Sequence, residues 1–218
     1  ATVARINEPW VAEELIENGK CDMCMIGRAN LCDSEFANKA FEGKTDDIRP
    51  CIGCGRCLTG IMMGKRISCT VNPSVEDDTV EKAAEKKKVL VIGGGPAGME
   101  AAYVAHQRGH EVVLCEKSNE LGGQLRIAAV PIAKQELCRV IKYMKRRLDN
   151  AGIEVRLNTE VTEEMLNNES KDYEIICSCG AVSKEIPPFK VFKNCMTADE
   201  VLSGTKYPGR NIVVLGGG

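Results

Sequence analysis

The sequence has little net charge and no long apolar run. Its 218 residues carry 29 Lys and Arg against 31 Asp and Glu, a formal net charge of −2. Nucleic acids and anionic membranes attract strongly basic proteins, so this balance gives no electrostatic reason to expect either partner. No stretch approaches the roughly 20 apolar residues that cross a bilayer. The first ten residues also lack the apolar core of a signal peptide.

Histidine, the usual proton carrier near neutral pH, is scarce as well. The chain has 2 histidines, His106 and His110. Both flank the end of a predicted helix, and we interpret them as surface residues. The tyrosines form no catalytic pattern either. The sequence therefore names no catalytic residue.

Cysteine, by contrast, is abundant, with 12 residues. A secreted disulfide scaffold is usually short and loop-rich, whereas helix and strand patterns surround these cysteines. We therefore expect metal-bound or free thiols in a reducing, cytoplasmic compartment. Cys115 and Cys177 fall in apolar strand patterns and are predicted to fill the core.

The first 50 residues alternate between helix and strand patterns, as in a parallel α/β structure. Pro9 begins a helix that ends near Gly19. Residues 21–26 are predicted to form a short buried strand, and residues 34–41 a second helix. Two such units cannot close a sheet, and the chain does not begin with Met. We therefore expect a piece of a longer protein.

A second α/β pattern starts at Lys88, after a highly charged segment that is predicted to be a helical or loose linker. It predicts a strand, a helix and a strand in succession, which is a complete βαβ unit. The predicted strands are 89–92, 112–116, 153–157, 173–177 and 211–215, and the predicted helices are 99–108 and about 134–150. The last strand runs into Gly216, Gly217 and Gly218.

Four cysteines form the pattern with the clearest chemistry. Cys51, Cys54 and Cys57 follow the spacing C-x2-C-x2-C, and eleven residues separate Cys57 from Cys69. Three thiolates on such short steps can wrap one corner of a [4Fe–4S] cluster, and a distant fourth completes the ligands. Zinc also binds four cysteines, but its structural sites usually consist of two separated pairs. The spacing favours the iron–sulfur cluster.

A glycine-rich turn follows the first strand of the second half. Gly93, Gly95 and Gly98 fit G-x-G-x-x-G between a strand and a helix, and Glu116 ends the next strand. In this context the pattern predicts a dinucleotide site, with the pyrophosphate at the helix N-terminus. A carboxylate at Glu116 would accept hydrogen bonds from a ribose and disfavour a 2′-phosphate. The site should therefore hold FAD or NAD rather than NADP.

Further motifs accompany these two patterns in a fixed order along the chain. They are Ala4-Arg5-Ile6-Asn7, Met25-Ile26-Gly27-Arg28, Cys51-Ile52-Gly53-Cys54, Ser68-Cys69-Thr70-Val71-Asn72-Pro73, the glycine turn, and Glu120-Leu121-Gly122-Gly123-Gln124-Leu125. Together they resemble the iron–sulfur flavoenzymes related to old yellow enzyme, such as 2,4-dienoyl-CoA reductase, 2-enoate reductase and trimethylamine dehydrogenase. The step from Cys54 to Cys57 is closer to trimethylamine dehydrogenase, which leaves the substrate open.

The resemblance implies an order of domains that covers essentially the whole chain. Residues 1–48 would be the last βα units of an FMN-binding TIM barrel, and residues 49–75 the loop of the [4Fe–4S] cluster. Residues 76–87 would be a linker and residues 88–210 a Rossmann-type FAD-binding domain. Residues 211–218 would begin a nicotinamide-binding domain.

The resemblance also implies which residues hold the flavins. Arg5, Gly27 and Arg28 match positions that hold the FMN phosphate, in keeping with the usual phosphate site of a barrel and with bidentate binding by Arg. The positions expected to bind FAD are Gly93, Gly95, Pro96, Ala97, Gly98, Glu116, Lys117, Gly123, Gln124 and Lys134.

The activity that the resemblance implies is an electron relay. NAD(P)H would reduce FAD, electrons would pass through the cluster to FMN, and FMN would reduce an activated C=C bond of a small-molecule substrate. Two alternatives stay open: an amine dehydrogenase that sends electrons outward, and an electron-transfer module without turnover. We expect the isolated chain to be inactive, and the sequence leaves its oligomeric state open.

Overall fold

The computed structural model describes residues 1–77, 79–168, 171–183 and 194–216, and it shows an α/β fold with two parallel sheets. The α/β class that the alternating patterns predict is therefore confirmed. The smaller sheet pairs β1 (Thr2–Val3) with β2 (Cys24–Met25). The larger sheet has four strands and lies in the second half of the chain.

The N-terminal region alternates between strands and helices as predicted, but these elements are shorter than expected. Helix α1 (Pro9–Glu17) starts at the predicted proline. The buried strand predicted for residues 21–26 is wrong, because β2 has 2 residues and Met23 and Met25 are 58% and 53% exposed. A sheet of two very short strands covers little apolar surface, so its side chains stay accessible.

Three helices lie between β2 and the end of the cysteine loop. They are α2 (Arg28–Cys32), α3 (Phe36–Phe41) and α4 (Arg56–Met62). The predicted helix at 34–41 is shorter than expected because the carboxylate of Asp33 accepts the backbone N–H of Glu35 at 3.1 Å. Such a side-chain acceptor competes with the helix at its start. A 3-10 turn spans Thr45–Asp47.

The larger sheet is built from β3 (Lys88–Ile92), β4 (Glu111–Cys115), β5 (Glu154–Arg156) and β6 (Tyr173–Cys177). Its spatial order is β5-β4-β3-β6, and every pair is parallel. The predicted strands up to β6 are thus confirmed. Because all strands run the same way, the carboxyl ends of β3, β4 and β6 meet at one edge, where ligands of open α/β sheets bind.

Helices connect the strands of this sheet. They are α5 (Pro96–Gln107) between β3 and β4, α6 (Gln124–Ala128) and α7 (Glu136–Asn150) between β4 and β5, α8 (Glu163–Asn168) between β5 and β6, and α9 (Ala198–Leu202) after β6. The predicted long helix is confirmed as α7, which packs on α5. A capping box of Thr197 and Glu200 begins α9.

A half-buried ion pair ties α5 to α7. The guanidinium of Arg147 donates two hydrogen bonds to the carboxylate of Glu100, at 2.6 and 3.3 Å. It also stacks on the ring of Tyr103, 3.7 Å from the ring centre. Because the pair is bidentate and largely shielded from water, it holds the two helices in one register.

One hydrophobic core joins the larger sheet to the cysteine loop. Val91 of β3, Met99 of α5 and Leu148 of α7 belong to the same buried cluster as Cys32 and Val71. Cys51, Ile52 and Cys69 pack against this cluster from the loop. The cysteine loop is therefore attached to the sheet by shared apolar contacts as well as by the chain itself.

Two strand-level predictions in the second half are wrong. Residues 211–215 form no strand, and Val213 is 85% exposed, because the segment has no partner strand among the described residues. Cys177 is exposed at the end of edge strand β6, whereas Cys115 is buried as predicted. Gly217 and Gly218 of the terminal glycine triplet lie outside the described residues.

The charged segment 76–87 forms no helix in its described part. Within the ranges that the structure describes, no helix combines the length and the apolar composition needed to cross a bilayer.

Candidate cofactor sites

The four cysteines of the predicted cluster loop line one pocket. The pocket is lined by Cys51, Cys54, Cys57 and Cys69, together with Gly53, Gly55 and Arg28. Cys54 is exposed, Cys57 is buried, and the other two are half-buried. Cys69 lies 18 positions after Cys51, so the segment after α4 folds back onto the first three cysteines.

The loop reaches this shape through two left-handed glycines and a helix. Gly53 and Gly55 have φ values of +64° and +77°, a region that residues with a side chain rarely adopt. Gly55 is the N-cap of α4, and Cys57 lies in the first turn of that helix. The helix itself was not predicted, because its short segment of mixed polarity has no clear helical period.

The four cysteines line a common pocket but are not grouped as ligands of a single ion. Among the described residues, no three His, Cys, Asp or Glu side chains are grouped so that they could hold a single metal ion. In a cubane each cysteine binds a different iron atom, so sulfurs that line one pocket are compatible with such a cluster. The residues present therefore fit a [4Fe–4S] group.

Donors inside the protein already stabilise negative charge at Cys69. A hydrogen bond from the thiol of Cys32, backbone N–H groups of Asn72 and Val71, and the charge of Arg49 lower the pKa of Cys69 to about 5, against the opposing effect of burial. Cysteine binds metal as the thiolate, so these surroundings favour Cys69 as a metal ligand.

At Cys51, by contrast, the surroundings raise the pKa of the thiol. Burial raises its pKa, although the N–H of Gly53 and the charge of Arg28 oppose that effect. The side-chain amide of Asn7 donates to the Cys51 carbonyl at 2.7 Å and fixes the entry of the loop. A bound cation would have to supply the remaining stabilisation of this thiolate.

The residues predicted to hold the FMN phosphate lie beside the cysteine loop. The guanidinium of Arg5 lies over Gly53, 3.5 Å from where a Cβ on that glycine would be, and it pairs with Glu136 of α7 at 2.6 Å. Arg28 lines the cysteine pocket and follows Gly27, the N-cap of α2. Their role toward FMN stays a prediction.

The glycine turn lies between β3 and α5, and each glycine meets a different constraint. Gly93 has a φ of +105°, and a Cβ there would lie 2.5 Å from the carbonyl oxygen of Ser178. A Cβ on Gly98 would lie 1.8 Å from the carbonyl oxygen of Gly93. A Cβ on Gly95 would meet nothing within 4 Å, so the space in front of Gly95 is open to a ligand.

A second turn packs against the first. The N–H of Gly122 donates to the carbonyl of Gly94 at 2.8 Å, and a Cβ on Gly123 would lie 3.1 Å from the Cα of Gly95. The Gln124 side chain donates to the Ala181 carbonyl at 2.5 Å. Gly123 and Gln124, both predicted to bind FAD, thus lie at the same edge of the sheet as the glycine turn.

The remaining predicted FAD residues fall into two groups. Pro96 and Ala97 form the first turn of α5 at the open side of the glycine turn, and Lys117 is exposed directly after Glu116. Lys134 is exposed in the turn before α7, and in the described structure no hydrogen bond joins it to the glycine turn.

Glu116 supports the glycine turn from the neighbouring strand. It is 8% exposed, and one carboxylate oxygen accepts the N–H of Gly94 at 2.6 Å. The other oxygen accepts the N–H and the hydroxyl of Ser118, both at 2.8 Å. Burial raises the pKa of Glu116, but these hydrogen bonds outweigh it and hold the pKa below its ordinary value.

We expect Glu116 to make the stability of the chain depend on pH. Because the folded-state pKa is lowered, the carboxylate contributes stability above the ordinary glutamate pKa, and the contribution is lost as pH falls through the folded-state value. Glu116→Gln should therefore lower the free energy of unfolding by about 1–3 kcal/mol at neutral pH, with a smaller difference in acid. Urea titrations of both proteins at several pH values measure it; a difference independent of pH contradicts the assignment.

Sequence reasoning missed Ser178. Its hydroxyl donates toward the carbonyls of Ile92 and Gly93, at 2.9 and 3.1 Å, and so clamps the end of β6 to the glycine turn. A lone serine after an edge strand has no pattern that would mark it, because only the pairing of β6 with β3 brings it to this turn.

Comparison with known proteins points to the same chemistry. Residues 88–174 match the family model described as FAD dependent oxidoreductase. Bilirubin reductase of Mediterraneibacter gnavus is 41% identical over 100% of this chain, which covers 35% of that protein. Cinnamate reductase of Clostridium sporogenes is 35% identical over 100% of the chain, which covers 33% of that protein.

A solved structure shares both fold and sequence. The complex of 2-naphthoyl-CoA reductase with 2-naphthoyl-CoA superposes with a TM-score of 0.88 at 32% identity, over 95% of this chain and 32% of that one. The chain thus spans about a third of the length of these relatives. The relatives also include dimethylamine dehydrogenase of Hyphomicrobium, 34% identical over 59% of this chain and 19% of that protein.

Proposed function

Since this chain belongs to the flavin-dependent oxidoreductases related to old yellow enzyme, we propose that it carries the FAD site and the [4Fe–4S] site of a longer electron-transferring enzyme. The observation that carries the proposal is the shared core between the cysteine pocket and the sheet that bears the glycine turn. When bound, FAD would take up two electrons together and release them one at a time, and the cluster would carry them singly, so these two sites could connect two-electron and one-electron steps.

The chain's own residues would position both groups. The N-terminus of α5 and the open space at Gly95 would receive the FAD pyrophosphate, and the remaining lone pairs of Glu116 would accept from the ribose. Arg49 links the two sites: its backbone N–H donates to Asp33 at 2.6 Å, and its side chain to the Tyr143 hydroxyl of α7 at 3.2 Å. This link supports a fixed distance between cluster and flavin.

The finer architecture is part of the proposal. We assign residues 1–48 to the end of an FMN-binding TIM barrel, residues 49–75 to the cluster loop and residues 88–210 to a Rossmann-type FAD domain. The parallel pairing of β1 with β2 and the positions of Arg5 and Arg28 support the first assignment. Residues 211–218 would lead into a nicotinamide domain.

For the whole protein, we propose the reduction of an activated C=C bond in a small molecule at the expense of NAD(P)H, in the cytoplasm. The relatives named as bilirubin and cinnamate reductases, at 41% and 35% identity over the whole chain, support this direction of electron flow. The match to dimethylamine dehydrogenase supports the alternative, in which electrons leave an amine substrate. We propose no nucleic-acid or membrane partner.

The test is a reductive titration of the chain after anaerobic loading with iron, sulfide and FAD. We expect the chain to accept about three electrons, two at the flavin and one at the cluster. Dithionite additions followed by the flavin absorbance and by the electron paramagnetic resonance of the reduced cluster measure both. Uptake of about two electrons, with zinc in place of iron, would contradict the cluster half of the proposal. Failure to bind FAD would contradict the other half.

A further inference from the structure

Two cysteines outside the cysteine pocket lie in contact near the start of the chain. Cys21 lies in the segment after α1, and Cys24 is the first residue of β2. Their sulfur atoms are 3.8 Å apart. Both thiols are free and half-buried, so part of each side chain remains accessible to solvent. Neither cysteine lines the pocket of the four predicted cluster ligands, so the proposed function does not use this pair.

The contact between the two sulfurs depends on how the chain turns between α1 and β2. In a continuous strand, residues three positions apart are separated by about 10 Å and point to opposite faces. Here the chain bends at Asp22, and β2 begins only at Cys24. The end of α1 fixes the approach to this bend. Gly19 has a φ of +64°, and the N–H of Lys20 donates to the Leu15 carbonyl at 2.9 Å, which closes the helix in a Schellman turn. The fold therefore brings together two thiols that an extended segment would separate.

Cys24 is held by contacts with both β1 and α1. It lies opposite Thr2 in the parallel pair, and the N–H of Thr2 donates to the Met23 carbonyl at 3.0 Å. The Cys24 thiol donates to the Ala12 carbonyl of α1 at 3.8 Å. Because this carbonyl holds the proton of Cys24, Cys21 is the sulfur of the pair that loses its proton first. The thiolate is the nucleophilic form of cysteine, so Cys21 is the attacking sulfur.

The pair suits redox chemistry better than a structural metal site. Structural zinc requires four ligands, and in the described part of the chain no third His, Cys, Asp or Glu forms a group with these two sulfurs. A disulfide has an S–S bond of about 2.0 Å. The sulfurs would therefore have to approach each other by roughly 2 Å, a distance within the range of side-chain rotation.

We propose that Cys21 and Cys24 form a reversible disulfide by exchange with a low-molecular-weight disulfide such as oxidised glutathione. The Cys21 thiolate attacks one sulfur of that disulfide, which breaks its S–S bond, leaves Cys21 in a mixed disulfide and releases one thiol. The sulfur of Cys24 then attacks that of Cys21, and the second thiol leaves. The protein gives up two electrons and two protons, and the small molecule is reduced to two thiols. This inference is independent of the proposed function, because neither step uses FAD or a cluster.

The experiment equilibrates the unchanged chain with mixtures of reduced and oxidised glutathione, blocks the remaining thiols with iodoacetamide and maps the peptides by mass spectrometry. Trypsin cuts after Lys20 and Arg28, so both cysteines fall in the peptide of residues 21–28. As the buffer becomes more oxidising, we expect this peptide to become two hydrogens lighter and to escape alkylation, in a single two-electron transition. Recovery of the peptide with both cysteines alkylated, in a buffer that has modified the exposed Cys138, would overturn the inference. A disulfide from Cys21 or Cys24 to any other cysteine would overturn it too.

Serine variants test the order of the two steps. Cys24→Ser lacks the second step, so the glutathione adduct at Cys21 should accumulate to about ten times its level in the unchanged chain, because attack by a neighbouring thiol is much faster than attack by a free one. Cys21→Ser should collect less adduct at Cys24, whose proton is held. Cys195→Ser is the matched control at an exposed cysteine, and its peptide 21–28 should oxidise like that of the unchanged chain. Equal adduct levels in Cys24→Ser and the unchanged chain would contradict the exchange mechanism.

Discussion

Simultaneous replacement of Cys54 and Cys57 by alanine is expected to abolish iron binding. The unchanged chain should take up about four iron atoms after anaerobic reconstitution, whereas the double variant keeps only Cys51 and Cys69. Two thiolates cannot hold a cubane against solvent and exchange, so the iron content should fall to near zero, with loss of the brown colour. Iron and acid-labile sulfide analysis of the gel-filtered chain measures the change.

The matched control replaces Cys138 and Cys195, which are exposed and lie outside the pocket. That variant should retain about four irons. Circular dichroism of both variants without iron checks that the fold survives, because Cys54 is exposed but Cys57 is buried in α4. A colourless unchanged chain that holds one zinc ion would show that the loop is a zinc site instead.

Gly95→Ala is expected to weaken FAD binding strongly without a cost to the fold. The backbone of Gly95 has a φ of −72°, which alanine adopts readily, and its Cβ would meet no protein atom within 4 Å. The added methyl group would instead occupy the space that the pyrophosphate needs. Crowding of about 1–3 kcal/mol corresponds to a rise in Kd of about fivefold to 150-fold. Flavin fluorescence titration measures the Kd.

Two further glycines provide the comparison. Gly209→Ala, also at a site with no neighbour within 4 Å, should bind FAD like the unchanged chain. Gly98→Ala should lower the free energy of unfolding even without FAD, because its Cβ would lie 1.8 Å from the Gly93 carbonyl oxygen. If Gly95→Ala binds FAD normally, the pyrophosphate does not lie where the glycine turn predicts.

The larger sheet was predictable because its strands and helices carry their own signals. Each of these signals depends on residues that are near in sequence. They include the apolar run of β3, the glycine turn before α5 and the apolar stripe along α7. The apolar run at 211–215 has the same local signal but forms no strand, because pairing needs a neighbour that the pattern cannot supply. Met25 is exposed for a related reason, since burial depends on what covers a strand.

The sequence by itself determined the chemistry available to this protein: four cysteines on short steps, a glycine turn after a strand, and an acid at the end of the next strand. Only the tertiary structure decided which distant groups join those sites. It packed Cys69 against the buried core that contains Cys32, brought Ser178 to Gly93, and placed Arg49 between the cysteine loop and α7. Local motifs depend on neighbours in the chain, whereas these contacts arise when parallel strands and helices share one buried core.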